Sequence, residues 1–552
     1  DLAARSTVVL PLPHQRWRCH SRVGSEDVEE LRQSSRGSTR TKAREITMAR
    51  KAFIIVGVLV VIGVAIGVIV AVTGSKGASN KSGTSTNDAS GKSNKASASP
   101  APKATGAVTG NQTVSDDSLL KNKTSSGSGS GASTEPKTDP EKATAAFTML
   151  AIGDWGATVD KPGSCCNKYR KTANDSLEMK IDYWAQINVA EMLAQSAADL
   201  KPARIIGHGD NIYWNGVGEN DIGFRMENTF EAVYNQPSLD GIPWVNVVGN
   251  HDLGGSEYLC GDFRECKSTE EMLEYLNKKF TSQQKYKSPN NNRWVLKDHY
   301  YVESYEKGDV SVDIFNVDTN YADSHGAMQI CCQCYGYIKK ESNDEDELKK
   351  LGKGCNDAKP GDKFCAGGDK AMYQACADEI NKWSLESMEK LQKDLKESKA
   401  TWKIVNSHYS PHFHMSEDKM KQWYEITKIG GVQVWMNGHT HGFNHDISAW
   451  GTHFYENGGG GGIQSETSGL PPQVAEKFVS HAWIAAGNPY GFFELTFSKD
   501  WLKTQFVTFD DKWVFSKTKS EIVKGGIKRG HCWHVPVTVG KGRECKTSAP
   551  SA

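Results

Sequence analysis

Five times in this chain an apolar run ends in a side chain that donates oxygen or nitrogen. Thr148-Met-Leu-Ala-Ile-Gly leads to Asp154, and Ala203-Arg-Ile-Ile-Gly-His-Gly leads to Asp210-Asn-Ile-Tyr213. Pro243-Trp-Val-Asn-Val-Val-Gly leads to Asn250-His251-Asp252, Lys403-Ile-Val-Asn-Ser to His408, and Val432-Gln-Val-Trp-Met-Asn-Gly to His439-Thr-His441. Each reads as a short buried strand with a sharp turn at its carboxyl end, which is where α/β sheets build their sites. Glycine there lets the backbone turn tightly and approach a ligand. Asp, Asn, His and Tyr together suit a hard or borderline metal. One strand-Gly-Asp occurs by chance in many domains; five donor-bearing strand ends in series predict a binuclear metal site.

The blocks GDWG, GDNIY, GNHD, VNSH and GHTH, in this order, resemble those of the calcineurin-like metallophosphoesterases. Within them the chain is similar to the purple (tartrate-resistant) acid phosphatases of the small animal type, through Tyr213, GDNIYWNGV and Tyr490-Gly-Phe-Phe-Glu-Leu-Thr-Phe497. The likeness runs from about Thr148 to Phe515. Ser/Thr protein phosphatases would show Asp-Arg-Gly in the second block and Glu after Gly-Asn-His, and neither is present. The resemblance implies an α/β fold, a four-layer α/β/β/α sandwich. It also implies one metal held by Asp154, Tyr213 and His441, a second by Asn250, His408 and His439, and Asp210 bridging them.

A phenolate ligand suits Fe(III); the second ion is Fe(II), Zn(II) or Mn(II). Two such ions about 3.5–4 Å apart bind substrate oxygens and generate hydroxide near neutral pH. The reaction implied is hydrolysis of phosphate monoesters by a metal-bound hydroxide, an acid phosphatase activity on small molecules or phosphoproteins. His251 is placed to bind phosphate or protonate the leaving alkoxide. For the family's further leaving-group histidine the segment offers His412 and His414, both nearer His408 than the family pattern sets it. His414 is preferred to His412, with a plain surface role open for each. His208 and His445 read as supporting residues. A phosphodiesterase of the same superfamily is the alternative enzyme. A non-catalytic adhesion or iron-binding protein is disfavoured, because all seven ligand positions are filled.

Residues 1–47 do not begin with Met and read as a doubtful leader or a disordered tail. Met48-Ala-Arg50-Lys51 precedes an apolar run from Phe53 to Val72, and about 20 such residues span a bilayer. The run is longer than the roughly 7–15 residues of a cleavable signal core. With Arg50 and Lys51 on the cytosolic side, segment 48–72 is expected to be a signal anchor, with a cleaved signal as alternative. Either places the rest outside the cytosol, as a single-pass membrane protein or a secreted one. Gly63 and Gly67 form a weak helix-packing signal. Residues 73–143, rich in Ser, Gly, Lys and Thr, lack the apolar content to fold and read as a flexible linker. Sequons at Asn80, Asn111, Asn122 and Asn174 fit a secretory route.

Lys+Arg and Asp+Glu balance at 66 each, so no nucleic-acid partner is expected. The domain is placed at 144–515, with a helix from about Leu177 to Leu200 crossing between the first two strands. An insertion at about 321–382 carries Cys331, Cys332, Cys334, Cys355, Cys365 and Cys376 and reads as Cys-stapled, with a zinc module as the rival. Leu385, Met388, Leu391 and Leu395 mark the apolar face of the following helix. Gly458 to Gly462 is expected to be a flexible loop near the site, since it lacks a P-loop Gly-Lys-Ser/Thr. Cys532 and Cys545 staple the tail, 516–552. Of 13 cysteines, setting aside Cys19 leaves 12, an even number suited to disulfides.

Overall fold

The structure, a computed structural model of the 552-residue chain, describes residues 135–157, 180–254, 257–261, 264–321, 327–341, 355, 358–466 and 469–546. The chain divides into units 1–124 and 125–552, and all described residues belong to the second. The leader, the apolar run Phe53–Val72, most of the 73–143 linker, all four sequons and Cys165-Cys166 lie outside the described residues. Among the described residues no helix is long and apolar enough to cross a membrane.

The architecture is mixed α/β, built on two sheets. In chain order the strands are β1 (Phe147–Ile152), β2 (Ile205–Gly207), β3 (Trp244–Asn246), β4 (Trp294–Val295) and β5 (Tyr300–Lys307). Next come β6 (Val310–Val317), β7 (Trp402–Asn406), β8 (Val434–Asn437), β9 (Phe443–Ser448) and β10 (His453–Asn457). The last are β11 (Val479–Ile484), β12 (Gly491–Phe497), β13 (Trp501–Phe509), β14 (Ile527–Pro536) and β15 (Arg543–Glu544). The first sheet runs β15-β14-β13-β12-β1-β2-β3-β4 and the second β11-β9-β10-β8-β7-β6-β5. β1, β2 and β3 are parallel neighbours, as are β6, β7 and β8. Every residue of β1, β2, β3 and β8 is buried, the apolar pattern of strands covered on both faces. Between the sheets the core also holds three buried histidines, His445, His453 and His531.

The helices that matter for the site are α1 (Ala185–Leu200), α2 (Asn250–Leu253), α3 (Thr269–Lys285), α4 (Ala327–Cys332), α5 (Cys334–Glu341), α6 (Lys370–Glu397), α7 (Pro411–His414) and α8 (Glu417–Gly430). α1, the expected crossover helix, stops at Lys201, which takes a left-handed conformation (φ 50°) just before Pro202, and proline cannot continue a helix. α6 begins inside the expected insertion: the Asp369 carboxylate caps it, accepting from the backbone N–H groups of Ala371 and Met372. Its buried face uses Ile380, Trp383, Met388, Leu391 and Leu395, whereas Leu385 is 42% exposed. Expecting Leu385 inward was wrong by one position around the turn.

All six insertion cysteines are paired, Cys331–Cys376, Cys332–Cys365 and Cys334–Cys355, which overturns the zinc module. The first bond ties α4 to α6. Cys260–Cys266 and Cys532–Cys545 are also bonded. The stretch expected as a tail supplies β14, hydrogen-bonded along β13. The last residues assigned to the linker are also held. Thr138 accepts from the Trp501 indole through its carbonyl and hydroxyl oxygens (3.0 Å each) and donates to Asp500 (2.8 Å). Glu135 and Glu141 accept from the backbone N–H groups of Gly542 (3.1 Å) and Lys546 (2.7 Å). All of these contacts lie at the start of β13 and beyond the end of β14, the end at which β1 begins.

Candidate metal centre

The five donor-bearing strand ends come from both sheets and meet. Asp154 follows β1, Asp210 and Tyr213 follow β2, and Asn250 opens α2 after β3; His408 follows β7, and His439 and His441 follow β8. Three of these seven residues, Asp154, Asp210 and His439, have positive φ (54°, 49° and 68°). For residues other than glycine this is a sparsely populated conformation that clusters at functional sites. The flanking glycines are needed for space. A Cβ on Gly438 would stand 2.1 Å from Asp154 Oδ2, and one on Gly249 2.2 Å from Asp210 Oδ1. Gly438→Ala is therefore expected to displace Asp154 and cost the centre at least one metal per chain. Elemental analysis of the purified variant checks this; full metal occupancy would refute it.

One set of donors surrounds Asn250 Oδ1, which lies 3.1 Å from both His408 Nε2 and His439 Nδ1; those two nitrogens are 3.2 Å apart. His408 Nδ1 donates to the His208 carbonyl at 2.8 Å. A carbonyl only accepts, so His408 Nε2 presents a lone pair. Asp210 Oδ1 is 3.5 Å away. Asp210, His408 and His439 each offer a donor atom within 4.8 Å of the others. Lone pairs converging in a buried pocket repel unless a cation sits among them, so this set fits a metal.

The second set is built on Asp154. Its Oδ1 accepts from the Tyr213 hydroxyl (3.1 Å) and lies 3.8 Å from His441 Nε2, while Oδ2 accepts from His439 N (2.9 Å). Asp210 Oδ2 is buried without a hydrogen-bond partner. Burial and the neighbouring Asp210 push Asp154 well above the usual carboxylate range. Burial also acts to raise Asp210, but His408, His251 and His441 and the His251 backbone N–H bring it below its ordinary value. Burial, then Asp154 and Asp210, hold the Tyr213 phenol well above 10; a bound cation reverses that logic by favouring the phenolate.

One supporting residue, Asp252, was given no role of its own in the sequence. Asp252 accepts from the backbone N–H groups of Asn211 (3.0 Å), Ile212 (3.1 Å) and Gly249 (2.8 Å), locking the second block to the third. It stood in the GNHD block, but its type alone did not separate a lock from a ligand. His208, expected to be a supporting residue, bridges Asn406 (2.6 Å) and Asn457 (3.0 Å), and burial holds it down to about 4. His251 donates its backbone N–H to Asp210 (2.9 Å), and its Nδ1 meets the Trp214 carbonyl at 2.8 Å.

His414 meets the Thr440 hydroxyl at 3.0 Å, with its ring 4.6 Å from that of His439. His412 is not brought to the centre. It is 3% exposed, faces Asp446 at 3.3 Å and packs on Tyr424 and Phe454. The glycine run is not a flexible loop either. Gly458–Gly462 is buried, and Gly460 and Gly462 donate to the carbonyls of Gly153 (3.0 Å) and Asp154 (2.8 Å). A Cβ on Gly460 would stand 2.3 Å from the Gly153 oxygen, so the run is glycine because it packs against the first block.

Comparison with known proteins gives a family match, calcineurin-like phosphoesterase, over residues 147–443, more than half of the chain. Purple acid phosphatase 17 of Arabidopsis thaliana is 23% identical over 312 residues, 56% of this chain and 66% of its own length. The human tartrate-resistant acid phosphatase type 5 is 33% identical over 115 residues, 21% of this chain and 29% of its own. The chain thus spans less than two thirds of either relative. Among solved structures, GAP50, the anchor in the inner membrane complex of Plasmodium, superposes with a TM-score of 0.40 at 16% identity, covering 70% of this chain and 90% of that one.

Proposed function

The chain belongs to the calcineurin-like phosphoesterase family, and from that membership we propose that it is an acid phosphatase with a binuclear metal centre, hydrolysing phosphate monoesters. The observation that carries the reading is the pair of donor sets meeting at Asp210, one of them containing the Tyr213 phenol. Asp154, Tyr213 and His441 would hold Fe(III); Asn250, His408 and His439 would hold Fe(II), Zn(II) or Mn(II); Asp210 would bridge. When bound, two such ions act as Lewis acids toward phosphoryl oxygens and lower the pKa of water.

The chain's own residues do the rest. The Trp214 carbonyl accepts from His251 Nδ1–H, so Nε2 donates to a phosphate oxygen only once the ring carries its second proton, which the substrate's negative charge favours. His414, held at Thr440, protonates the leaving oxygen. Asp252 and His208 keep the strand ends in register.

The remainder of the reading is architectural. α1 packs on the first sheet and α6 on the second, which supports an α/β/β/α sandwich. Phe53–Val72 is read as a signal anchor that holds the catalytic domain outside the cytosol.

The test is the visible spectrum of the purified protein alongside p-nitrophenyl phosphate turnover across acidic and neutral pH. A broad tyrosinate-to-iron band, absent in Tyr213→Phe, with an acid optimum is expected. A colourless protein acting best on diesters at neutral pH would make it a zinc or manganese phosphodiesterase. A colourless, inactive, metal-replete protein would remove the enzyme reading.

A further inference from the structure

His412 and His414 are two residues apart on α7, a single helical turn, and the fold sends them different ways. His414 reaches the Thr440 hydroxyl beside the centre. His412 Nε2 lies 3.3 Å from Asp446 Oδ2 in the core. Asp446 is fully buried on β9. Its carboxylate also meets His481 Nδ1 of β11 at 3.0 Å and Asn444 Nδ2 at 3.3 Å. One turn of helix does not hold itself in place, because nucleation is unfavourable without further hydrogen bonds. The direction in which α7 presents His414 must therefore come from anchors outside it, and the buried His412–Asp446 contact is one.

We infer that Asp446, acting through His412, is a positioning residue that holds His414 where it protonates the leaving group. The inference rests on the phosphatase reading above. As the ester P–O bond breaks, its electron pair goes to the alcohol oxygen, which takes a proton from the His414 imidazolium. The attacking water supplies the hydroxyl that phosphorus gains and the proton that restores the imidazolium. Proton donation matters most when the leaving oxygen is a strong base. An alkyl alkoxide needs it, and p-nitrophenolate barely does.

The experiment compares kcat on glycerol 2-phosphate and on p-nitrophenyl phosphate for wild type, His414→Asn, Asp446→Asn, His412→Leu and His412→Gln. It is read with metal content and with hydrogen exchange of residues 409–415 in the metal-free protein. Asp446→Asn and His412→Leu are expected to lower the alkyl-to-aryl ratio about 10-fold, the lower end of what losing an outer hydrogen-bond partner costs. They should follow the pattern of His414→Asn, keep their metal, and exchange faster at 409–415. His412→Gln, whose amide N–H can still meet Asp446, should keep the ratio.

Equal losses on both esters, or an unchanged ratio with unchanged exchange, would overturn the role. If Asp446→Asn does not fold, the two His412 variants decide. Wild-type protein that turns over neither ester removes the phosphatase reading and this role with it, while the exchange data still report whether Asp446 anchors the turn.

Discussion

Asp210→Asn is expected to reduce turnover about 10³-fold or more, an increase of about 4 kcal/mol in the barrier, and to lower metal content from two ions per chain to one or fewer. Asp210 Oδ1 already accepts from the His251 backbone N–H at 2.9 Å. An asparagine oxygen can keep that bond, so the fold should survive. The other oxygen is buried and unpartnered, beside the phenol of Tyr213. Placing an amide N–H₂ there turns donor hydrogens toward the position a cation would take and removes the one negative charge shared by both donor sets. Circular dichroism, elemental analysis and kcat on p-nitrophenyl phosphate make the test. A folded variant with two ions and activity within tenfold of wild type would show that Asp210 does not bridge.

A second large effect is expected in stability, on the acid side. His531 Nε2 stands 3.0 Å from His445 Nδ1, His445 Nε2 2.8 Å from His453 Nδ1, and His453 Nε2 2.9 Å from the Gly540 carbonyl. That carbonyl only accepts, so the row resolves into neutral rings each donating through Nε2. Burial holds His453 down to about 4 and His531 to about 3; it holds His445 well below 6.5, helped by its histidine neighbours.

A depressed folded-state value means that the stabilisation is complete above the unfolded value near 6.5. It is lost as pH falls toward the folded values, because only the unfolded chain takes up protons in that window. For His453 alone the shift amounts to about 3 kcal/mol. Glu456 works the other way. Burial raises it to about 8, so its contribution is complete below about 4.5 and fades as pH rises through 8. Urea unfolding of the metal-free protein should therefore show stability falling steeply from pH 6.5 to 4, and His445→Gln should flatten that limb. A stability unchanged between pH 6.5 and 4 would refute it.

The parts of the fold most legible in the sequence were those whose chemistry is local. An apolar run ending in glycine and a donor describes itself, and β1, β2, β3, β7 and β8 lie where those runs are. What escaped depended on partners far along the chain. Nothing local distinguishes His412 from His414; Asp446 and Thr440 separate them. Gly458–Gly462 reads as pliant until Gly153 and Asp154 are packed against it. Of the face read from Leu385, Met388, Leu391 and Leu395, only Leu385 turns outward, and the core takes Trp383 and Ile380 in that part of the helix. The start of α6 did carry a local sign, Asp369 before a helix-forming run, which the cysteines around it obscured. β13 and β14 lacked any donor-bearing end to draw notice, and their place was set by pairing across the sheet.

The hold on residues 135–142 also has a directional meaning. They are fastened where β1 begins, and the donor cluster lies where β1 ends, about 20 Å along a six-residue strand. Residues 135–142 thus sit at the pole of the first sheet opposite the donor cluster. The segment that leads into β1 therefore leaves the donor-bearing ends of the strands uncovered by its own residues.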